Sequence, residues 1–126
     1  MLSTPEIAEF VADVSYDRLP DGVREALKRR ILDGVGVSIH TRDADAAATV
    51  RRAMVVDGLD TPGAVHLWGS PETTSTTRAA MVNAASIVAG NGPTFLSPTL
   101  APVGGSIAAV LAAADARNEP GEATIA

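Results

Sequence analysis

"DGVREALKRRILDGVGVSIH", Asp21 to His40, is the stretch on which the fold turns. Val23, Leu27, Ile31 and Val35 recur every four residues, with Ala26 and Leu32 beside them. That is the spacing of one helical face. Leu19-Pro20-Asp21 restarts the chain just before it. Gly34 and Gly36 sit inside the pattern, and each costs up to about 1 kcal/mol relative to Ala in a helix. Either another backbone passes close at that point, or the helix breaks at Gly34. Read as unbroken, this helix makes the chain all-α, because its neighbours on both sides carry the same periodicity.

Upstream, Ser3 and Thr4 are N-cap candidates, Pro5 suits a first helical turn, and Glu6 stands three residues after Ser3. This is the pattern of a capping box. Ile7, Phe10, Val11 and Val14 then share one face of a first helix that ends near Ser15. Downstream, Asp43 to Gly58 reads as a third helix with Ala46, Ala47, Val50, Met54 and Leu59 turned inward and Gly58 as its C-cap. Ala64 to Trp68 lies between Pro62-Gly63 and Gly69-Ser70-Pro71, which predicts a short strand or extended crossover. A fourth helix starts in the Thr-rich run after Pro71 and continues as "TRAAMVNAASIVAG". Pro102 to Ala116 is a fifth. "RNEPGE" is a turn, and "EATIA" reads as the opening of a further helix. The expectation is one domain over residues 1–126, all-α, of about five helices with one short extended segment.

Composition narrows the function. The 126 residues are 46% hydrophobic but only 3% aromatic, so the core must use Ala and Val at close helix contacts. Burial scales with apolar area, so such a core gains less per residue than one rich in Leu and Phe. Modest stability alone, or help from a partner, follows. The net charge is −5. The longest basic cluster, Lys28-Arg29-Arg30, is balanced by Glu25 and Asp33 and reads as a solvated helix face. Nucleic acid and anionic membranes are not expected partners. There is no Cys, which excludes disulfide and thiolate chemistry. No signal peptide and no span of about 18 apolar residues is visible, so a cytoplasmic location is expected.

The chain is poor in catalytic sets. Two His, His40 and His66, lie far apart without ligand-type neighbours, and no metal site or cofactor is expected. His40 suits a helix C-terminus, where the dipole favours a cation. His66 reads as a half-exposed residue of the extended segment, beside Trp68. The hydroxyls of Thr73 to Thr77 are explained as helix caps, and no base stands near them in sequence. Neither "GNG" at Gly90 to Gly92 nor "GGS" at Gly104 to Ser106 is followed by the Gly-Lys-Ser/Thr of a phosphate loop. The backbone N–H groups of Gly104 and Gly105 are the one anion-binding candidate of that kind. Asp43 and Asp45 flank a helix start. Asp115 and Glu119 read as polar turn residues past a helix.

One segment stands out. "AGNGPTFLSPTLAPVGG", Ala89 to Gly105, joins two Ala-rich helices and contains no His, Asp, Glu, Lys or Arg. Long connections inside small domains are often functional. This one has the length of a binding loop without acid–base side chains.

Several stretches, taken in order, resemble the N-terminal helical part of the MmgE/PrpD family. The resemblance rests on "TPEIAEFVADVSYDRLPDGVREALKRRILDGVGVSI", with Leu19-Pro20 and Leu32-Asp33. It rests also on "GAVHLWGSPETTSTTRAAMVNAASIVAG", with Ala79, Ala80 and Asn83 as Ala-Ala-x-x-Asn, and on "APVGGSIAAVLAAADARNEPGEATIA". The family includes 2-methylcitrate dehydratase, cis-aconitate decarboxylase and iminodisuccinate epimerase. The resemblance implies a mostly helical fold, often dimeric, and lyase or isomerase chemistry on small di- and tricarboxylic acids. Such chemistry needs a base for the C–H, an acid for the leaving group and cations for the carboxylates.

The family typically writes His-Ala-Leu-Asp-Phe-Asp-Asp-Thr at the end of helix four. In this chain its His falls at Val88, its first Asp at Asn91, and the next two acids at Pro93 and Thr94. A later His-Pro falls around Thr99-Leu100 or Leu100-Ala101. No catalytic residue is therefore expected. Asn91, Thr94, Gly104 and Gly105 remain as candidate substrate-binding groups, able to hydrogen-bond an acid but not to transfer its proton near neutral pH. Full-length members are several times longer, so a truncated or split protein is expected, with partly uncovered apolar faces. Its partner would be a second copy or a complementary chain carrying the rest of the fold. The alternative is a non-catalytic helical module for dimerisation or for binding a small carboxylic acid.

Overall fold

The computed structural model describes residues 3–56, 63–90, 95–96 and 101–126. Six α-helices lie among them: α1 (Thr4–Asp13), α2 (Asp21–Thr41), α3 (Asp45–Val56), α4 (Thr76–Ala89), α5 (Gly104–Arg117) and α6 (Gly121–Ile125). A single 3-10 turn, Tyr16–Arg18, links the first two. The all-α expectation holds. The sixth helix is the continuation of "EATIA", which forms a complete short turn after Pro120.

The extended segment is half of a small antiparallel pair. β1 (Val65–His66) bonds with β2 (Thr73–Thr74), Val65 facing Thr74 and His66 facing Thr73. The Thr-rich run is therefore divided. Its first residues complete the ladder, and Ser75 is the N-cap from which α4 begins. Gly69 turns the hairpin at φ +75°, a conformation that favours Gly. A second short pair joins β3 (Phe95–Leu96) to β4 (Ala101–Pro102). The loop after α4 thus contains an antiparallel ladder and is not wholly irregular. Because Pro102 belongs to that ladder, α5 starts two residues later than expected, at Gly104.

The core centres on α4, which packs on α2, α3 and α5. Val65, Leu67, Ala79, Val82 and Ala112 are buried together, with Val50, Met54 and Ala80 against them. These are mostly small side chains, as the composition requires. Ala47 is buried and Val50 and Met54 are half-buried as expected, whereas Ala46 is exposed. Gly58 and Leu59 lie outside the described residues.

α2 runs unbroken through both glycines, but it does not bury the face its apolar periodicity marks. Its buried residues are Gly34 and Ser38. With Thr41 they form a strip of small side chains against α4. Ser38 Oγ donates to the Asn83 carbonyl at 3.4 Å. The Thr41 hydroxyl lies against the carbonyls of Val37, at 2.8 Å, and Ser86. The expected close approach occurs at Gly34, where side chains, not backbone, come near. An added Cβ would meet Ile107 at 3.6 Å and Ile87 at 3.7 Å. Nothing approaches Gly36. Leu27, Ile31 and Val35 are only half-buried, and Leu32 is 75% exposed.

α1 is capped as the sequence suggests. The Glu6 carboxylate accepts from the Ser3 backbone N–H at 2.6 Å and its hydroxyl at 2.7 Å. Its apolar face is not covered: no residue of α1 is buried.

Candidate functional site

The residues that could act on a ligand gather at the end of α4 and the last turns of α2. Gly90 caps α4 against α2, so close that a Cβ there would overlap Val37 and press on Thr41. An open groove of about 590 Å³ runs from this point along α2, lined by Arg29, Asp33, Gly36, His40, Thr41 and Gly90 among others. Asp33, Gly36, Val37 and His40 follow at helical spacing on one face, which is why the sequence places them together. Arg29 and His40 are eleven residues apart, about 16 Å along the axis. One small dicarboxylate cannot bridge them. His40, in the last turn of α2, lines the groove together with Gly90, which caps α4. Its placement at a helix C-terminus is as expected.

Of the sequence-derived binding residues, Asn91 and Thr94 lie outside the described residues. Gly104 and Gly105 open α5, after Val103, which provides no side-chain cap. Gly104 is buried and Gly105 exposed, with no atom of the described residues within 4 Å of a Cβ added at Gly105. Val88, the position at which the family writes His, is 62% exposed on the last turn of α4.

The structure also joins residues that the sequence left apart. Asp115 belongs to the last turn of α5, not to the polar turn after it. Its Oδ2 accepts the His66 backbone N–H at 2.9 Å and lies 3.0 Å from His66 Nδ1. The His66 N–H holds the Asp115 carboxyl below its ordinary range, aided by the imidazole and opposed by partial burial. An acid near a helix C-terminus opposes the dipole, and that mismatch was the available signal of a partner elsewhere. Asn83 was also missed as a structural device. Its Oδ1 accepts the Trp68 N–H at 3.1 Å and its Nδ2 donates to the His66 carbonyl at 3.3 Å. The Ala-Ala-x-x-Asn motif thus places a buried amide against the strand, with the two alanines letting neighbours approach.

A second concavity, of about 510 Å³, lies between α2, α5 and α6. Leu27, Ile31, Ile107, Val110, Leu111 and Ile125 make it apolar, and Arg30 stands on its wall. Ser106 and Thr124 are its other polar side chains among the described residues.

Among the described residues no group of three or more His, Asp or Glu could hold a metal, and no helix is long and apolar enough to cross a membrane. A small-residue, α4-centred helical domain with one strand pair clamped by Asn83 is the class of protein these features define. A family model described as the MmgE/PrpD N-terminal domain matches residues 5–126, and the chain belongs to that family. No curated protein and no solved structure compared with the chain gives a match.

Proposed function

We propose that this chain is the helical part of an MmgE/PrpD-type protein, related to lyases and isomerases of small di- and tricarboxylic acids, that binds such an acid but does not turn it over alone. The observation that carries the reading is Val88. The resemblance puts an acid–base His there, and this chain has an exposed valine. Asn91, Pro93 and Thr94 replace the acids that would follow. An amide and a hydroxyl hydrogen-bond a carboxylate but do not take a proton from carbon near neutral pH.

Asn91, Thr94 and the N–H groups of Gly104 and Gly105 are the binding groups in this reading, with the His40 imidazole in the groove beside Gly90. The protein works in the cytoplasm. A second copy or a complementary chain covers its apolar faces. The uncovered apolar face of α1 supports the need for a partner.

The test is titration calorimetry of the chain with citrate and with succinate, followed by proton NMR of the mixtures over hours. The expected result is binding that Asn91→Ala weakens, without new resonances. Absence of binding to both acids removes the ligand assignment. Appearance of a dehydrated, decarboxylated or isomerised product removes the claim that the chain is inactive alone.

A further inference from the structure

His66 and Asp115 form a pair that the carboxylic-acid reading does not use. Along β1, Val65 is buried and His66 exposed; across the ladder, Thr74 is buried and Thr73 half-buried on the His66 side. β1 also packs on α4 and α5. The His66 side chain is 62% exposed, yet its backbone is fixed at both ends. The N–H donates to Asp115 Oδ2 at 2.9 Å, and the carbonyl accepts from Asn83 Nδ2 at 3.3 Å. An accessible ring thus stands on an anchored residue.

The two ring nitrogens are not equivalent. Asp115 Oδ2 lies 3.0 Å from Nδ1. The His66 N–H holds the Asp115 carboxyl below its ordinary range, so near neutral pH it is ionised and can only accept. Nδ1 therefore carries the proton, and in the neutral imidazole the lone pair is left on Nε2. His40 is the contrast within the same chain. It is exposed as well, and no hydrogen bond or ion pair orients its ring among the described residues. A carboxylate behind an imidazole favours attack from the far nitrogen in two ways. It keeps the attacking tautomer, and it stabilises the imidazolium that forms as that nitrogen bonds to an electrophile.

We infer that His66 is a nucleophilic acyl-acceptor site, attacking activated esters through Nε2 with Asp115 as its positioning residue. In the first step Nε2 bonds to the carbonyl carbon, and the C–O bond to the alcohol or phenol breaks. That oxygen leaves with the electron pair. The acylimidazolium keeps its Nδ1 proton on Asp115. In the second step water adds to the acyl carbon and gives up a proton to solvent. The carbon–nitrogen bond breaks, its electron pair returns to Nε2, and the carboxylic acid leaves. A carbonyl electrophile suits the site better than a phosphoryl one. Asp115 repels a phosphoryl dianion, and the chain carries a net charge of −5. Neither residue lines the groove at Gly90, so acyl transfer at His66 is independent of acid binding.

The experiment treats the full chain with diethyl pyrocarbonate and follows each histidine by peptide mass spectrometry, with circular dichroism as a control for folding. His66 should be acylated about tenfold faster than His40. Asp115→Asn should bring His66 down to the His40 rate, and Asp115→Glu should recover part of the difference. Release of p-nitrophenol from p-nitrophenyl acetate should continue past one equivalent, fall in His66→Gln, and rise with pH as the imidazole loses its proton. Asp115, on α5, is the titratable group bonded to the ring; Thr73 on β2 and Asn83 on α4 do not titrate in that range. Nitrogen NMR of the unmodified chain should show the neutral His66 ring protonated at Nδ1. A ring protonated at Nε2 overturns the assignment whatever the variants do. So does a His66 that reacts no faster than His40, or one that keeps its rate in a folded Asp115→Asn chain. Release that stops at one equivalent overturns the second step.

Discussion

The Asp115 carboxylate, at the end of α5, accepts the backbone N–H of His66 at 2.9 Å and faces the ring of the same residue at 3.0 Å. One acid thus secures the β1 backbone to a helix 49 residues away and fixes the imidazole by Nδ1, leaving Nε2 directed elsewhere. The strand is held from its other side by Asn83. These side chain to backbone bonds add to the burial of Val65 and Leu67, since two paired residues are too little ladder to persist alone.

Acid should loosen this attachment. The folded-state value of Asp115 is depressed, with the His66 N–H as the largest cause. Its contribution is complete above the unfolded carboxyl value of about 3.9 and is lost as the pH falls through the lower folded value. Asp115→Ala should lower Tm at neutral pH, by the equivalent of about 1 kcal/mol or less because the pair is solvent-exposed. The gap to the unmodified chain should narrow as the pH falls below the ordinary carboxyl range. Asp115→Asn retains an acceptor for the N–H and should fall between the two. Thermal melts of the three proteins across pH check this, and a gap that does not change with pH would falsify it.

Asn83 should be costlier to remove. It is 2% exposed and both ends of its amide are engaged. Asn83→Ala deprives the Trp68 N–H and the His66 carbonyl of their partner, a loss of about 1–3 kcal/mol. Asn83→Asp keeps the acceptor for Trp68 but sets a carboxylate against the His66 carbonyl. It should be the less stable of the two at neutral pH. Denaturant titration of both variants measures the difference.

Glycines of similar sequence context should respond with opposite sign. Gly36 is in the interior of α2 with nothing near its missing Cβ, so Gly36→Ala should stabilise by about 0.5–1 kcal/mol. Gly90→Ala must displace Val37 and crowd Thr41, and should destabilise by about 1–3 kcal/mol. The pair is measured by the same melts. A stabilising Gly90→Ala would mean that α2 and α4 are not in the contact described.

The crossing of α2 and α4 should tolerate loss of a hydroxyl better than gain of volume. Ser38 is buried, but its bond to the Asn83 carbonyl is long at 3.4 Å. Ser38→Ala should cost about 0.5 kcal/mol, since a weak bond is exchanged for a small void. Ser38→Leu has no room at the helix contact and should cost about 1–3 kcal/mol or more. Equal effects from the two would place Ser38 away from the interface.

Much of this chain was legible as sequence. Apolar spacing, Pro and Gly punctuation and the Ser3–Glu6 capping box set the helices, their order and most of their ends, because those signals are local. The lack of acid–base side chains between Ala89 and Gly105 was equally plain, since it is a matter of residue identity. Tertiary packing decided the rest. The periodic face of α2, Leu27 to Val35, borders a half-open groove, while Gly34 and Ser38 go inside, because close helix contact at α4 selects small side chains over apolar ones. Asp115 meets His66, and Asn83 braces the strand, through contacts that no local pattern encodes. A hydrogen bond between residues 49 positions apart exists only after α4 and α5 have packed and brought their backbones to within one side chain of β1.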